Sequence, residues 1–204
     1  QEWADIQEEM KVISTKLGHG GSIEKLRDAA ESDPTNVAAT KEALIARIKE
    51  DIERGYAAAG KVFGRFPKAG CDVKAVEEFK EKDAPAAYYF GPAADGSRPG
   101  TYYVNGYDLP SRFLHALAPT TYHEAIPGHH FQIALEMELE FLPDLRKHAS
   151  HLAGNAYVEG WGLYSERLAD EQLRSLGREG AGLDRHKIVM MIRDKLAKEK
   201  GLPV

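Results

Sequence analysis

Cysteine is nearly absent from this chain, since one residue, Cys71, occurs among 204. A single thiol excludes an intrachain disulfide and a cysteine-based metal site, so Cys71 is predicted to be a small packed apolar residue. Long apolar runs are absent too, because no stretch approaches the roughly 20 residues that a membrane-spanning helix needs. We therefore expect no transmembrane segment.

A strong excess of charge of either sign is missing as well. The net charge is −5 and 29% of the residues are charged, which argues against a protein that binds nucleic acid. The 43% of apolar residues exclude a disordered, collagen-like or disulfide-stapled chain. At this length the chain is one domain or two small ones, with enough residues to bury a core.

Apolar residues recur at intervals of three and four through much of the chain, which predicts a mainly helical fold. The first such stripe, over residues 3–17, ends at a run of glycines. Ser22 is predicted to cap a second, short helix. Asp33 and Pro34 are predicted to begin a third helix, whose apolar stripe covers residues 44–56. These stripes predict packing faces rather than chemistry.

The pattern changes in the middle of the chain, where aromatic and β-branched residues cluster. Residues 86–90 and 101–105 are predicted to be two short strands, joined by a loop rich in glycine and proline. Helices are predicted again over residues 111–141, with a break inside, and over residues 144–171. The predicted fold class is mainly α, with a small β-hairpin or short sheet beside the helix that carries the candidate site.

A histidine followed by a glutamate, His123 and Glu124, is the strongest chemical signal. In a zincin helix a second histidine follows the first by four residues, so that both face one metal and the glutamate reaches its water. Here that position is Pro127, and the next histidines, His129 and His130, come six and seven residues after the first. On an unbroken helix His129 would lie roughly 120° around the helix axis from His123. His130 would face the same way as His123 but would lie about 10 Å further along the axis.

The proline and glycine between the histidines therefore predict a break or bulge at residues 126–128. Looping out two residues makes His129 the second ligand, whereas looping out three selects His130, and the spacing leaves both open. The alternative is a helix end that carries surface histidines and no metal. Glu124 directly after His123 favours the metal, because a metal-activated water needs a base there.

A third ligand is expected from another helix, and Glu159 is the best candidate. It lies among apolar residues, so its carboxylate is predicted to be buried and to need a cation or hydrogen bonds. A core ion pair is the alternative. Glu166 comes seven residues later on the same helix face and is predicted to be an outer partner of the site or a surface acid.

Several motifs together resemble one family. They are the runs at 95–100, 102–105, 123–130 and 157–161. These runs resemble the bacterial DUF885 family, whose members look like zinc-dependent peptidases of the helical gluzincin type, distantly similar to thermolysin-, thimet- and carboxypeptidase-Taq-like enzymes. The resemblance implies a zincin-like helical domain, Zn²⁺ held by His123, His129 and Glu159, and Glu124 as general base.

The resemblance also predicts how the chain is organised. It covers roughly residues 1–171, which are expected to be the zincin catalytic portion and the C-terminal part of a longer protein. Residues 172–204 are expected to form a basic helical tail that is not clearly matched, with eight Lys and Arg against four Asp and Glu. Many similar proteins are exported and the chain begins with Gln1, which slightly favours an exported or cell-envelope location over a cytoplasmic one.

The predicted function is zinc-dependent hydrolysis of peptide or related amide bonds, with Glu124 as the base. Tyr164 is the predicted donor to the developing oxyanion. Other candidates for that role are Tyr103, Tyr157 and His130. The strand at 102–105 is expected to pair with the substrate backbone. The expected partner is a peptide or small amide substrate, with no nucleic acid, and the sequence does not indicate an oligomeric state.

Two other functions fit the same residues. Two histidines and one carboxylate also describe a non-haem iron enzyme, although the glutamate directly after His123 favours hydrolysis. A non-catalytic fragment with a vestigial or structural metal site is the second alternative. A structural site, however, is normally closed by four protein ligands.

Overall fold

The computed structural model describes residues 2–148 and 155–176, which form a mainly helical fold with a small three-stranded sheet. The predicted fold class is confirmed at this level. The described elements are α1 (Glu2–Lys16), α2 (Ile23–Ser32), α3 (Lys41–Ala59), β1 (Cys71–Ala75), α4 (Glu78–Glu81), β2 (Ala87–Phe90), β3 (Gly100–Val104), α5 (Leu114–Glu124), α6 (His129–Glu138), α7 (Asp144–His148) and α8 (Asn155–Ser175).

The first helices follow the predictions except at the start of α3. The Ser22 side chain accepts a hydrogen bond from the backbone of Lys25 and caps α2 as predicted. Asp33 caps only a short 3₁₀ turn, Pro34–Asn36, so the prediction that it begins the third helix was wrong. The chain then becomes extended and forms a bridge from Val37 to the start of α5, and α3 begins later with Thr40 as its cap.

The sheet has three strands where two were predicted. β2 and β3 are the predicted strands and pair antiparallel, while β1 pairs parallel to the other side of β3. The sequence of β1 is short and two of its five residues are charged, so its pattern did not predict a strand. Because β3 is the central strand, both of its edges are already paired. The expected pairing of residues 102–105 with a substrate backbone was therefore wrong.

The main core lies between the sheet and the helices α3, α5 and α6. Leu44 and Ile48 of α3, Tyr102 of β3 and Ile126 between α5 and α6 are fully buried in it. A Cβ at Gly55 would collide with the backbone carbonyl of Ile126, so the glycine lets α3 pass directly against this connection. Helix α8 packs across α3 and α5 and completes the surroundings of the candidate site.

Three further predictions concern other parts of the chain. Cys71 is half-buried in β1, and burial raises the pKa of its thiol to about 12, as expected for a packed residue rather than a nucleophile. Helix α8 continues past residue 171 to Ser175, and the rest of the predicted tail, 177–204, lies outside the described residues. Among the described helices, none has the length and apolar character that crossing a membrane requires.

Candidate metal centre

The connection between α5 and α6 is the break that the sequence predicts at residues 126–128. Helix α5 ends at Glu124 and α6 begins at His129, so this prediction is confirmed. The Ile126–Pro127 peptide bond is cis. Gly128 lies so close to the end of α5 that a Cβ would collide with the carbonyl oxygen of His123. A side chain at this position would prevent α6 from starting there.

Two side chains of α8 hold the break in place. Trp161 Nε1 donates a hydrogen bond to the Pro127 carbonyl at 2.9 Å, and Ser165 Oγ donates to the same oxygen at 3.2 Å. A carbonyl at a helix break lacks its helical donor, so a donor must come from another element. Neither residue was predicted from the sequence, and the only available signal was that the proline carbonyl would need a partner.

The structure brings His123, His129 and Glu159 together. Each residue offers one ligand atom, and these atoms lie within 4.8 Å of one another. His123 Nε2 is 3.2 Å from one carboxylate oxygen of Glu159, and His129 Nε2 is 3.8 Å from the other. The two imidazole rings are nearly perpendicular, with their centroids 4.5 Å apart. The three residues come from α5, α6 and α8, so the cluster exists only in the folded protein.

The His123 ring lies between two carboxylates of α8. Glu166 Oε1 is 2.7 Å from Nδ1, and Glu159 Oε2 is 3.2 Å from Nε2. A carboxylate at neutral pH only accepts hydrogen bonds. Nδ1 of His123 must therefore carry a proton and donate a hydrogen bond to Glu166. Neutral His123 would then direct the lone pair of Nε2 at the Glu159 oxygens. A cation between them, either a proton or a metal ion, removes this conflict.

Of the two roles predicted for Glu166, its position therefore fits an outer partner of the cluster rather than a surface acid. Its side chain is only 4% exposed. Gly162, between Glu159 and Glu166 on α8, lets the ring approach, because a Cβ there would come within 2.8 Å of three ring atoms of His123. The role of this glycine was not predicted. Its spacing of three and four residues from the two glutamates was the available signal.

His130 points away from the cluster and into the fold. Its ring is fully buried, with Nε2 3.1 Å from the carbonyl oxygen of Ala69 and Nδ1 2.8 Å from the hydroxyl of Tyr89. The carbonyl only accepts, so Nε2 donates to it and Nδ1 accepts from the tyrosine. The structure thus selects His129 as the histidine that meets His123, a choice that the spacing left open.

The surroundings of the site shift the pKa values of its two histidines in opposite directions. Burial lowers the pKa of His123, but the hydrogen bond to Glu166 and the charges of Glu166, Glu124 and Glu159 together raise it above its ordinary value. Burial, with the charge of His123, lowers the pKa of His129 to about 4. His129 is therefore neutral at neutral pH, which is the form that binds a metal.

Glu159 differs from its prediction in one respect. The carboxylate was expected to be buried, yet the side chain is 49% exposed. The apolar neighbour Val158 takes the buried position instead. Helix α8 packs against α3 and α5 through Gly162, Ser165 and later residues. Glu159 comes before these residues and therefore lies at the solvent-facing end of the packed face. One side of the cluster is consequently open to solvent.

Glu124 is half-buried in the last turn of α5, directly after His123. It is not among the three residues whose ligand atoms converge, as expected for a base rather than a ligand. Its charge is one of those that raise the pKa of His123.

In the described part of the chain, the candidates for the oxyanion donor make contacts with other residues. Tyr164 is 55% exposed, its ring contacts Trp161, and it lies about 140° around α8 from Glu159. Tyr103 stacks on Tyr88 on the sheet, Tyr157 donates to Glu136, and His130 is bonded as described above. The assignment of Tyr164 remains a prediction.

The three converging residues fit a zinc ion. Two imidazoles and one carboxylate are ordinary zinc ligands, and bonds of about 2.0–2.1 Å in a tetrahedron place ligand atoms roughly 3.3 Å apart. The distance of 3.2 Å from His123 to Glu159 is close to that spacing, the distance of 3.8 Å from His129 to Glu159 is longer, and the three ligand atoms lie within 4.8 Å of one another. The same donors also suit non-haem iron, so the three residues could hold either metal and their chemistry does not select one.

With the fold and the site described, the chain can be compared with known proteins. Residues 1–194 match the family described as "Bacterial protein of unknown function (DUF885)", and the chain belongs to this family. The match continues beyond residue 171, where the resemblance was expected to end. A similar crystal structure is that of a "putative lipoprotein" from Colwellia psychrerythraea, with a TM-score of 0.81 and 34% sequence identity.

The similarity to this structure covers 90% of the present chain and 32% of the other chain. The chain therefore spans about a third of the length of that protein. No curated protein matches the chain.

Proposed function

We propose that this chain carries the metal centre of a zinc-dependent hydrolase that cleaves peptide or related amide bonds. The observation that supports this best is the convergence of His123, His129 and Glu159, whose ligand atoms lie within 4.8 Å of one another, with Glu124 directly after the first ligand. Helices α5 and α6, with the break between them, would take the part of the single zincin helix. A zincin-like fold of the gluzincin type belongs to the same proposal.

Each residue would have a distinct part in the reaction. His123, His129 and Glu159 would hold zinc, which when bound lowers the pKa of a water molecule and polarises the carbonyl of the amide. Glu124 accepts the proton of the attacking water and then delivers it to the leaving nitrogen. Glu166 keeps the proton on Nδ1 of His123, so that Nε2 faces the other two ligands.

The exposure of the site favours catalysis over a structural metal. A structural zinc site is closed by four protein ligands, whereas a catalytic site leaves a position for water and substrate. Among the described residues three ligands converge, and the Glu159 side chain is 49% exposed. Glu124 beside the cluster favours hydrolysis over the chemistry of a non-haem iron enzyme, which needs no base at that position.

The comparison with the larger structure supports two further parts of the proposal. Because that protein is named a lipoprotein, we propose that the present chain also acts after export, in the cell envelope. Because the chain spans about a third of that protein, we assign the hydrolysis to the longer protein that contains this metal centre. Its substrate would be a peptide or a small amide.

The first experiment measures the metal. The longer protein that contains this chain, purified without added metal, should hold about one zinc ion per molecule by mass spectrometry, and a chelator should remove both the zinc and the hydrolysis of a fluorogenic peptide pool. Re-addition of zinc should restore hydrolysis. Stoichiometric iron in place of zinc would contradict the proposed metal and favour the non-haem iron enzyme.

The second experiment tests the base. Glu124→Gln keeps the size of the side chain but cannot accept a proton, so kcat should fall by about 10²–10⁴ while zinc remains bound. Glu171→Gln is the matched control, since Glu171 is an exposed residue about 18 Å along α8 from Glu159. Near-normal hydrolysis by zinc-loaded Glu124→Gln would show that the mechanism is wrong.

A further inference from the structure

A row of buried polar side chains continues from the metal centre along one face of α6. His129, Gln132 and Glu136 lie within about 60° of one another around the helix axis. They are 8%, 7% and 7% exposed. A polar stripe on a buried helix face is unusual, because such faces are normally apolar.

Several polar atoms of this row have no hydrogen-bond partner among the described residues. Both the nitrogen and the oxygen of the Gln132 amide are buried and unpaired, and so is Oε2 of Glu136. An unpaired buried amide destabilises the folded protein, and such groups occur where strain or ligand binding explains them. His130, on the sheet side of the same helix, has partners for both ring nitrogens. The unpaired groups therefore mark one side of α6.

The same side of α6 faces the start of α8. The Tyr157 hydroxyl donates to Oε1 of Glu136 at 3.0 Å, and two residues later Glu159 lies 3.8 Å from Nε2 of His129. The row thus runs between the two helices that supply these two ligands. Gln132 is about 4.5 Å along α6 from His129. An extended peptide advances about 3.3–3.6 Å per residue, so Gln132 lies about one residue from a bond placed at the metal.

We propose that Gln132 binds a backbone peptide group of the substrate, one residue from the bond that is cleaved. This inference rests on the amide hydrolysis proposed above. The Gln132 amide offers donors and an acceptor side by side, which complement the carbonyl and N–H of a peptide group. Both amide atoms are covered by protein, so binding requires the covering groups to move outward. The proposed substrate is therefore a peptide that is recognised through its backbone.

Two hydroxamates test this inference on the zinc-loaded chain. Acetohydroxamic acid binds through the metal alone, while N-acetylalanine hydroxamate adds one peptide group. Calorimetric titration should give about tenfold tighter binding of the second probe, the effect of one or two hydrogen bonds. Gln132→Met should lose that gain and leave the affinity for acetohydroxamic acid unchanged. Gln172→Met, the same change about 20 Å along α8 from Glu159, is the control and should keep the gain.

Thermal unfolding gives a second readout. Removing an unpaired buried amide should leave the Tm of Gln132→Met unchanged or raise it. A fall in Tm with the probe preference intact would mean that the amide has only a structural role, and would overturn the inference. Gln132→Glu keeps the shape but not the donors, and it should lose the preference as well.

The two proposals fail in different ways. If neither hydroxamate binds the zinc-loaded wild-type chain, the proposed metal centre is wrong and the subsite with it. If both probes bind and Gln132→Met prefers the longer one as strongly as the wild type does, only the role of Gln132 is wrong.

Discussion

His129 and His130 are neighbours in α6, yet they lie in opposite environments. His129 meets His123 and the carboxylate of Glu159, and its Nδ1 has no hydrogen-bond partner. His130 is fully buried, with both nitrogens hydrogen-bonded to Tyr89 and Ala69. A histidine whose nitrogens are both satisfied is a packing residue, whereas one that faces another histidine and a carboxylate is placed to bind a cation.

The difference follows from the geometry of the helix and of its neighbours. Consecutive residues of a helix point about 100° apart, so one histidine faces α8 and the other faces the sheet. The sheet side is closely fitted, because a Cβ at Gly100 would collide with the Tyr89 hydroxyl and come within 2.7 Å of the His130 ring. The residue type alone therefore does not distinguish the roles of the two histidines, whereas the partners of each ring nitrogen do.

The largest expected effect separates the two histidines. His129→Ala should abolish stoichiometric zinc binding, because it removes one of the three proposed ligands. Its effect on zinc affinity should exceed the roughly 10–100-fold loss that follows from changing an outer hydrogen-bond partner of a ligand. His130→Ala should retain zinc but lose two buried hydrogen bonds and packing, which lowers the free energy of unfolding by about 2 kcal/mol or more. Zinc titration and thermal unfolding of both variants measure the two effects.

The results for His129→Ala and His130→Ala also test how many residues are looped out at the break between α5 and α6. If His130→Ala lost zinc and His129→Ala kept it, the break would loop out three residues rather than two. The comparison between the two environments would then be reversed.

An intermediate effect is expected at the outer partner of His123. Glu166→Gln keeps an oxygen that accepts from Nδ1 but removes the charge that stabilises the ring, so zinc affinity should fall by about 10–100-fold. Glu171→Gln, on the exposed side of the same helix, should leave zinc affinity unchanged. Equal affinities for the two variants would mean that the 2.7 Å contact of Glu166 does not support the metal site.

Much of the site was predictable because its signals are local. The spacing of His123 and Glu124 predicted ligand chemistry, and Pro127 with Gly128 predicted the break, since both residues disrupt a regular helix. The two faces of α6 were not predictable, because they depend on which element packs against each face. Spacing alone left His129 and His130 open for this reason.

Tertiary contacts explain the other differences. The exposure of Glu159 was missed because its apolar neighbours suggested burial, while α8 packs through Gly162 and Ser165 instead. The central position of β3 was missed because β1, which is parallel to it, is distant in sequence and short. Pairing between distant segments leaves little trace in local periodicity.

The smallest expected effect concerns two glycines of α8, Gly160 and Gly162, which point about 160° apart around the helix axis. A Cβ at Gly160 meets no atom within 4 Å, so Gly160→Ala should stabilise α8 by about 0.5–1 kcal/mol through its helix propensity. A Cβ at Gly162 would come within 2.8 Å of the His123 ring, so Gly162→Ala should destabilise the folded protein by about 1–3 kcal/mol and displace that proposed ligand.

At this chain length about 1 kcal/mol shifts the Tm by roughly 2–4 °C, so the two variants should move the Tm in opposite directions. Zinc affinity should fall only in Gly162→Ala. A rise in Tm for both variants would mean that the His123 ring does not lie against α8, and the contacts of both nitrogens of that ring would have to be assigned again.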